Sequence, residues 1–490
     1  MAEFTSTRSI HESATAHEAV VRGIAPSGGL YVPQTLPKLS IEKVLALSYI
    51  ETAKRVLSGM LPSFSEEDIY SSCEEAYLHH FDTEEVTPLI KAGNAYVLEL
   101  FHGETSAFKD VALSILPRLL MRAKNALGIK EKILILTATS GDTGSAAMNG
   151  FRDVPGAGII TFFPKGGVSE IQMRQMTSMQ GRNLAACAAY GNFDDCQTAV
   201  KHMFTTLTPP SGIRFSSANS INIARLAPQI TYYYSAYAQL VNKYGLSVSE
   251  EVDFIVPTGN FGDILAGYYA KQMGLPVGKL ICASNANRVL TDFIQSGVYD
   301  RRREFVKTIS PSMDILISSN LERLLYHAEG NDPETVSRLM ENLKKTGMYN
   351  ASGDAIERIR KDFEGYSYDD AQTKLEIKKF FEETGYLVDP HTAVGCCARD
   401  EYLSANPGRT AVVLSTASPF KFAKSVLEAL DQPIPEDAFE MVERLSDYAK
   451  VQTPKAISKL KSAPVIHKDE TSIEKIADYV IGKAESVCRL

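Results

Sequence analysis

The sequence predicts an α/β protein whose parallel sheets are covered by helices on both faces. Past residue 95, short continuous apolar segments alternate with helical stretches, which is typical of strands that are buried on both sides. The predicted strands are Ala95 to Leu100, Ile133 to Thr137, Gly158 to Phe163, Phe254 to Pro257, Leu280 to Ala283 and Ala411 to Leu414. Residues 1–95 predict a mostly helical region, in which apolar spacing indicates a helix from Glu42 to Leu57 that ends at Gly59.

The composition is that of a globular protein with two or three domains. The chain has 490 residues, of which 44% are hydrophobic and 22% are charged. Its net charge of −8 argues against nucleic-acid binding, which requires a basic surface. The absence of an 18-residue apolar run and of a leader pattern predicts a cytoplasmic protein outside the membrane. The seven cysteines lack C-x-x-C spacing, so we expect a reducing compartment and no metal site.

The alternation of apolar segments with helical stretches also predicts the domain boundaries. Residues 1–95 form the N-terminal region, and residues 96–132 together with 230–435 form a larger domain. Residues 133–229 form a smaller, mobile domain. Residues 436–490 are charged and helix-prone, and they predict a C-terminal helical tail.

The first candidate site follows the strand at residues 95–100. FHGETSAFKD, residues 101–110, leads into a helical run, so Lys109 lies in the first turn of a helix. The positive end of the helix dipole disfavours an ammonium group there, and a neutral lysine can form an imine or act as a base. Phe108 supplies an apolar wall beside it. On position alone, a solvated helix lysine is the simpler interpretation.

Three further strand ends carry glycines and hydroxyl groups. In residues 132–147 a strand leads into TSGDTG and a helix, an anion nest suited to a small carboxylate, although a plain helix N-cap is the alternative. In residues 252–270 a strand leads into TGNFGD, a nest suited to phosphate without the spacing of a dinucleotide fingerprint. Residues 412–420, VVLSTASPF, end in hydroxyls. Ligands bind at the carboxyl ends of such strands, so the four segments together predict pyridoxal phosphate holding an amino acid.

These segments resemble the threonine synthase family, fold-type II pyridoxal-phosphate enzymes related to the tryptophan synthase β chain and cysteine synthase. HGETSAFKD resembles the family's cofactor-lysine motif, TSGDTG its substrate loop, and PTGNFGDILAGYYAKQMGLP its cofactor-phosphate loop and following helix. Other matching segments are SSANSINIARLAPQ, PSMDILISSNLERL, LVDPHTAVG and LSTASPFKF, and the match runs from about residue 5 to about residue 430. Glu104, Ser418 and Phe420 stand where the family more often has Pro, His and Ala.

The resemblance implies a role for each matching residue near the cofactor. Lys109 would bind the cofactor covalently and then move protons, with Phe108 beside it. Thr416 would face the pyridine nitrogen, and Asp142 would lie near the ring hydroxyl, where cysteine synthase-like relatives carry Asn. The cofactor phosphate would be held chiefly by the backbone N–H groups of Gly259, Asn260, Phe261, Gly262 and Asp263.

The resemblance also implies where the substrate binds. Its carboxylate would bind in the loop of Ser140, Gly141 and Thr143. For its phosphate we choose Arg225, because arginine forks onto phosphate oxygens, with support from Ser220 and Asn222. Lys165 is a weaker candidate that a solvated loop lysine explains equally well.

The implied function is the conversion of O-phospho-L-homoserine and water into L-threonine and phosphate by a cytoplasmic monomer or homodimer. A hydroxyl at the pyridine nitrogen does not enforce protonation of the ring, which favours elimination and addition over transamination. The main alternative is a lyase of the same fold that releases 2-oxobutyrate, phosphate and ammonia. A paralogue that only binds the cofactor is disfavoured, because Lys109 and the loop glycines are all present.

Overall fold

The N-terminal region combines helices with a small antiparallel sheet. The structure is a computed structural model that describes residues 2–490, with the backbone alone for Thr205. The three strands of this antiparallel sheet lie in the order Ser9–Ala14, Phe4–Ser6 and Tyr31–Pro33. The helices of this region are Ala16–Arg22, the 3-10 turn Ile41–Lys43, Tyr49–Met60 and Glu66–Tyr77. Helices are the main regular structure of the region, as expected, and the sheet is an addition that the sequence did not predict.

The helix predicted from Glu42 begins later. Only the 3-10 turn Ile41–Lys43 forms at its expected start, and the α-helix begins at Tyr49. The side chain of Ser48 accepts a hydrogen bond from the Glu51 N–H at 3.2 Å, which caps the helix there. The predicted start was therefore wrong, because a capping serine inside an apolar pattern outweighed the pattern itself.

The large sheet, as we call the six-stranded sheet, is parallel except at one edge. Its strands lie in the order Phe363–Ser367, Val277–Ser284, Val252–Pro257, Thr410–Ser415, Ala95–Glu99 and Leu89–Ala92. The first five strands are parallel, and only the last pair is antiparallel. The four strands predicted for this part of the chain are confirmed.

The small sheet, as we call the five-stranded sheet, is entirely parallel. Its strands lie in the order Asp469–Ser472, Leu184–Tyr190, Ala157–Pro164, Lys132–Ala138 and Ile213–Ser216. The two strands predicted here are confirmed. The edge strand Asp469–Ser472 comes from the segment expected to be a helical tail, so the end of the chain extends the sheet of residues 133–229.

Helices cover both faces of each sheet. Lys109–Ala126, Ile230–Tyr244 and Gly262–Met273 join one core that also includes the inner face of the small sheet. Asp370–Thr384, Pro390–Ala405, Ala423–Ala429 and Ala438–Ala449 cover the other face of the large sheet. Phe193–Thr206 and Ile476–Val487 cover the outer face of the small sheet. The predicted architecture of two parallel-sheet units with helices on both faces is therefore confirmed.

The remaining elements are short or lie at the periphery. The other α-helices are Asp142–Phe151, Glu170–Thr177, Ile223–Leu226, Val289–Ser296, Leu321–Ala328, Pro333–Thr346, Gly353–Asp362 and Lys455–Ser458. The other 3-10 helices are Ala227–Gln229, Pro311–Met313, Pro419–Phe422, Lys459–Lys461 and Ile473–Lys475. Val298–Asp300 and Met348–Asn350 form a two-stranded antiparallel ribbon. Within residues 2–490, none of these helices has the length and apolar character needed to cross a bilayer.

Candidate active site

Lys109 is the first residue of the helix Lys109–Ala126 and is largely buried where residues that follow strands of the two parallel sheets meet, a place that we call the cleft. Its side chain is 11% exposed. Its Nζ lies 3.4 Å from an Asp142 carboxylate oxygen, 3.4 Å from Ser312 Oγ and 4.6 Å from the centre of the Phe108 ring. Burial lowers the pKa of Lys109, and the charge of Asp142 only partly opposes that effect. The neutral, reactive lysine expected from the sequence is therefore consistent with its surroundings.

Hydrogen bonds hold the loop before Lys109 to its own helix and to a neighbouring strand end. The Thr105 backbone N–H and hydroxyl both donate to the Asp110 carboxylate, at 2.9 and 2.5 Å. The Phe108 N–H donates to the carbonyl of Thr416 at 2.8 Å, which joins this loop to the end of the strand Thr410–Ser415. Two of the four sequence segments thus meet directly.

Asp142, at the start of the helix Asp142–Phe151, is bonded at both oxygens. Oδ1 accepts from Lys421 Nζ at 2.7 Å and from Gln172 Nε2 at 2.8 Å. Oδ2 accepts from Lys109 and from Ser312 Oγ, the latter at 3.2 Å. Burial alone would raise the pKa of Asp142, but the charges of Lys421 and Lys109 outweigh burial and hold it below its ordinary value. Asp142 is therefore an anion.

The TSGDTG loop forms a nest of free amide donors. Thr139 Oγ1 accepts from the N–H groups of Gly141 and Gly144, both at 2.9 Å. The N–H groups of Ser140, Asp142 and Thr143 have no acceptor among the described residues. Gly141 has φ +136°, and a Cβ there would lie 2.3 Å from the Gln172 side chain. A small anion such as a carboxylate fits these donors.

The TGNFGD loop forms a second nest, before the helix Gly262–Met273. Phe261 has φ +63° and packs its ring on Phe363, which holds the loop in an unusual turn. The carbonyls of Gly259 and Asn260 accept hydrogen bonds from the segment at Ser318 and Asn320, so the opposite side of the loop presents its amides. No acceptor for the N–H groups of residues 259–263 exists among the described residues. These donors at a helix start fit a phosphate group.

The Asp263 carboxylate points away from that nest. It accepts from Tyr232 at 2.5 Å and from Tyr233 at 3.2 Å, and burial raises its pKa to about 6. A carboxylate would also repel phosphate. Asp263 therefore has only its N–H group to offer the nest.

Arg225 is a buried cation without an anionic partner among the described residues. It is 4% exposed, one terminal nitrogen donates to the Ala218 carbonyl at 2.8 Å, and Nε has no acceptor. Burial lowers the pKa of Arg225 to about 10. Its charge also contributes to the lowered pKa of Lys109, so the two side chains are near each other. Such a guanidinium is placed to receive an anion.

The three other residues chosen for the substrate phosphate are less available. The Asn222 side chain caps the helix Ile223–Leu226 and donates to Val20. The Ser220 carbonyl accepts from Asn320, and no bond of its hydroxyl group is found among the described residues. Lys165 is 47% exposed and pairs with Glu470 at 2.7 Å. That environment agrees with the solvated-lysine interpretation.

The structure also brings three residues to the cleft that the motif analysis did not assign. Lys421 contacts Asp142, and Ser312 contacts both Asp142 and Lys109. The Ser312 N–H donates to His391 Nε2 at 3.1 Å, while the other ring nitrogen of His391 bonds Asp389 at 2.5 Å. All three lie in segments that were noted for their resemblance, and that was the only signal for them in the sequence.

Glu104, a departure from the family pattern, joins three parts of the fold. It bonds His80 of the N-terminal region at 2.9 Å and Arg152, which follows the helix Asp142–Phe151, at 3.0 Å. Burial alone would raise the pKa of Glu104, but the His80 hydrogen bond and the Arg152 charge outweigh it and lower the pKa to about 2. The substitution thus adds an ionic contact beside the lysine loop.

Comparison with known families accounts for nearly the whole chain. Residues 3–77 match "Threonine synthase N terminus", residues 81–417 match "Pyridoxal-phosphate dependent enzyme", and residues 392–465 match "Threonine synthase, C-terminal". The chain belongs to the threonine synthase family. It is a pyridoxal-phosphate-dependent lyase of fold type II, which confirms the predicted family, fold class, cofactor and enzyme class.

Individual relatives agree with this assignment. Threonine synthase of Pseudomonas aeruginosa is 40% identical over 92% of this chain and 97% of its own length. The crystal structure of pyridoxal-phosphate-bound threonine synthase from Brucella melitensis has a TM-score of 0.88 at 37% identity, over 98% of this chain and 99% of that one. Threonine synthase-like 1 of Macaca fascicularis is 39% identical over 84% of this chain, which spans only 58% of that relative. These comparisons favour threonine synthase over the lyase that releases 2-oxobutyrate.

Proposed function

We propose that this protein converts O-phospho-L-homoserine and water into L-threonine and inorganic phosphate. The observation that carries the proposal is the number of anion sites around Lys109. Two nests of free amides and the unpaired Arg225 guanidinium make three such sites. The cofactor phosphate accounts for one and an amino-acid carboxylate for the second. The third calls for a further anion on the substrate, and the phosphate of O-phospho-L-homoserine supplies it.

The cofactor would be held mainly by residues of the large sheet, with Asp142 reaching it from the small sheet. The N–H groups of Gly259 to Asp263 would bind its phosphate, Thr416 would face the pyridine nitrogen, Asp142 would lie near the ring oxygen, and Lys109 would carry the covalent link beside Phe108. When bound, pyridoxal phosphate withdraws electrons from the substrate α-carbon. A hydroxyl at Thr416 tempers this effect, because unlike a carboxylate it does not enforce protonation of the ring.

The substrate would be held by residues on both sides of the cleft. The amides of Ser140 and Thr143 would bind the substrate carboxylate, with Gly141 keeping the loop compact. Arg225 would bind the substrate phosphate with two parallel N–H donors, with Ser220 beside it. Asn222 would act indirectly, by capping the short helix that carries Arg225.

Lys109 would move the protons of the reaction. Its neutral amine would remove a proton from Cα and then one from Cβ, which allows the Cγ–O bond to break and phosphate to leave. Water then supplies a hydroxyl group to Cβ, while protons return to Cα and Cγ. The sum of these steps is one water consumed and one phosphate released. Ser312 Oγ, 3.4 Å from Lys109 Nζ, would help to orient that amine.

Closure of the cleft would decide between threonine and 2-oxobutyrate. Asp142 and the TSGDTG loop belong to the small sheet, whereas Lys421 and Thr105 belong to the side that carries Lys109. The Gln175 side chain also donates across the cleft, to the Thr105 carbonyl at 2.9 Å. We propose that residues 133–229 move as a mobile unit and that these contacts keep it closed until water has added at Cβ.

We also propose a cytoplasmic monomer or homodimer that does not bind nucleic acid. The net charge of −8 supports the last point, because phosphate-backbone binding requires a basic surface.

The test is to supply O-phospho-L-homoserine to the purified holoenzyme and measure threonine, phosphate and 2-oxobutyrate together. We expect equal amounts of threonine and phosphate, with 2-oxobutyrate as a minor product. Lys109→Ala should lower turnover by at least about 10²–10⁴, the usual contribution of a general base. The control Lys130→Ala, at an exposed helix-end loop, should not. Mostly 2-oxobutyrate would support the alternative lyase, and an active Lys109→Ala would refute the site.

A further inference from the structure

Lys421 is a second lysine in the cleft, and burial of its charge needs an explanation. It lies in the 3-10 helix Pro419–Phe422, and its side chain is 0% exposed. Its ammonium group lies 2.7 Å from Asp142 Oδ1 and donates to the Thr105 carbonyl at 2.8 Å. A buried ion pair is weak evidence for stability, since removing two charges from water costs about as much as their attraction returns. A requirement other than folding therefore accounts for it better.

The chemistry of the cofactor ring supplies such a requirement. The ring oxygen of pyridoxal phosphate carries negative charge, and a bare carboxylate beside it would be repelled. An amide at this position, as in cysteine synthase-like relatives, is neutral and has no such difficulty. Asp142 resembles that amide only if a cation cancels its charge. When Lys109 is bound to the cofactor, it carries a positive charge only while the joining nitrogen is protonated, which leaves Lys421 as the cation that is present in both protonation states.

The neighbouring charges are consistent with this role. The charged groups with the largest effect on the pKa of Lys109 are Asp142, Lys421 and Arg225, and Asp263, whose pKa the Lys109 charge lowers, faces Lys109 as well. Arg225 has its own backbone contact at Ala218 and no bond to Asp142. Asp110 also faces Lys421, but its carboxylate is held by Thr105. Lys421 is thus the permanent counter-charge of Asp142.

We propose that Lys421 is a positioning residue for the reaction: it neutralises and orients Asp142, so that a carboxylate can take the place of an amide beside the cofactor ring. This inference rests on the position of Asp142 given under the proposed function. Lys421 contacts neither the substrate carboxylate nest nor the phosphate nest within the described residues. It acts through Asp142 and therefore reaches the cofactor indirectly.

The test is a double-mutant cycle on the substrate-free holoenzyme. The variants are Lys421→Met, Asp142→Asn and both together, with the exposed Lys424→Met as matched control. The readouts are the cofactor dissociation constant and the pH at which the absorbance of the bound cofactor changes. That pH reports the proton on the nitrogen that joins Lys109 to the cofactor. Circular dichroism of the cofactor-free chain checks that each variant folds.

The two single variants should shift that pH in opposite directions. Lys421→Met leaves Asp142 without its counter-charge and favours the protonated nitrogen, so the transition should rise by about one pH unit or more, a tenfold change in proton affinity. It should also weaken cofactor binding by about tenfold or more on the same scale. Asp142→Asn leaves an uncancelled cation, so the transition should fall. The double variant should recover most of the cofactor affinity and return towards the wild-type pH.

Other results would overturn the inference. If the double variant binds the cofactor no better than Lys421→Met, the lysine merely supports the Thr105 carbonyl. If Lys421→Met does not fold, the fall in transition pH expected of Asp142→Asn remains a test, and a rise there contradicts the inference. The readouts need no turnover. A wild type that makes 2-oxobutyrate would therefore refute the proposed function and leave this result standing.

Discussion

Arg225→Met should weaken substrate binding without weakening the fold. Burial that lowers the pKa of Arg225 from 12.5 to about 10 corresponds to about 3 kcal/mol against the charged form, at about 1.4 kcal/mol per pKa unit. Replacement by Met removes that cost. It also leaves the buried Ala218 carbonyl without its donor, which costs about 1–3 kcal/mol. The free energy of unfolding should therefore stay the same or rise by up to about 2 kcal/mol.

The effect on the substrate should be opposite and larger. Two charge-assisted hydrogen bonds to phosphate, at roughly 1.5 kcal/mol or more each, amount to about 3 kcal/mol. A loss of that size raises a dissociation constant by about 100-fold. We expect the KM for O-phospho-L-homoserine and the inhibition constant of inorganic phosphate to rise together. Cofactor retention should not change.

The assay combines urea unfolding of the substrate-free enzyme with steady-state kinetics. Arg214→Met is the matched control, because Arg214 is a half-exposed arginine of the strand Ile213–Ser216 that pairs with Glu131. If Arg225→Met instead loses pyridoxal phosphate while KM holds, Arg225 belongs to the cofactor and our assignment is wrong. A large fall in the free energy of unfolding with an unchanged KM would show that Arg225 stabilises the fold and does not bind the substrate.

Two further predictions concern the phosphate nest and the ionic contact beside the lysine loop. Gly259→Ala should weaken cofactor binding, because a Cβ at this position would lie 2.6 Å from the Ser312 carbonyl oxygen. A cofactor titration measures the effect. The control Gly482→Ala, which has open space around the added Cβ, should leave cofactor binding unchanged. Glu104→Gln should destabilise the protein at neutral pH. The folded-state pKa of Glu104 is about 2 against an ordinary 4.5, so its contribution is complete above about pH 4.5 and is lost as the pH falls towards 2. Urea unfolding at several pH values measures it, and a difference from wild type that does not shrink in acid would contradict it.

The sequence predicted the strands that are built from continuous apolar residues and missed those that are not. All six predicted strands form, because each has the apolar side chains that burial on both faces requires. Leu184–Tyr190 is rich in alanine, which has low strand propensity, and only its place beside Ala157–Pro164 makes it a strand. Asp469–Ser472 is polar and pairs at an exposed edge of the sheet, so it has no apolar pattern from which a strand could be predicted.

The candidate site was predictable where loop chemistry is local and was not where it depends on tertiary contacts. The glycines and hydroxyls of the two nests are adjacent in the chain, and so are the residues around Lys109. Lys421 and Ser312 reach Asp142 from 279 and 170 residues away along the chain. Apart from the resemblance of their segments to the family, nothing in their own sequence neighbourhoods distinguishes them from solvated side chains. Only the packing of the two sheets places them in the cleft.

The most direct test of the central claim is the fate of water oxygen during turnover. The proposed reaction breaks the Cγ–O bond and takes the hydroxyl group of threonine from water. With O-phospho-L-homoserine in water enriched in ¹⁸O, mass spectrometry should find one heavy oxygen in the side chain of L-threonine and none in the phosphate released. Heavy oxygen in the phosphate, with homoserine as the product, would mean that water attacks phosphorus. That result would contradict the account.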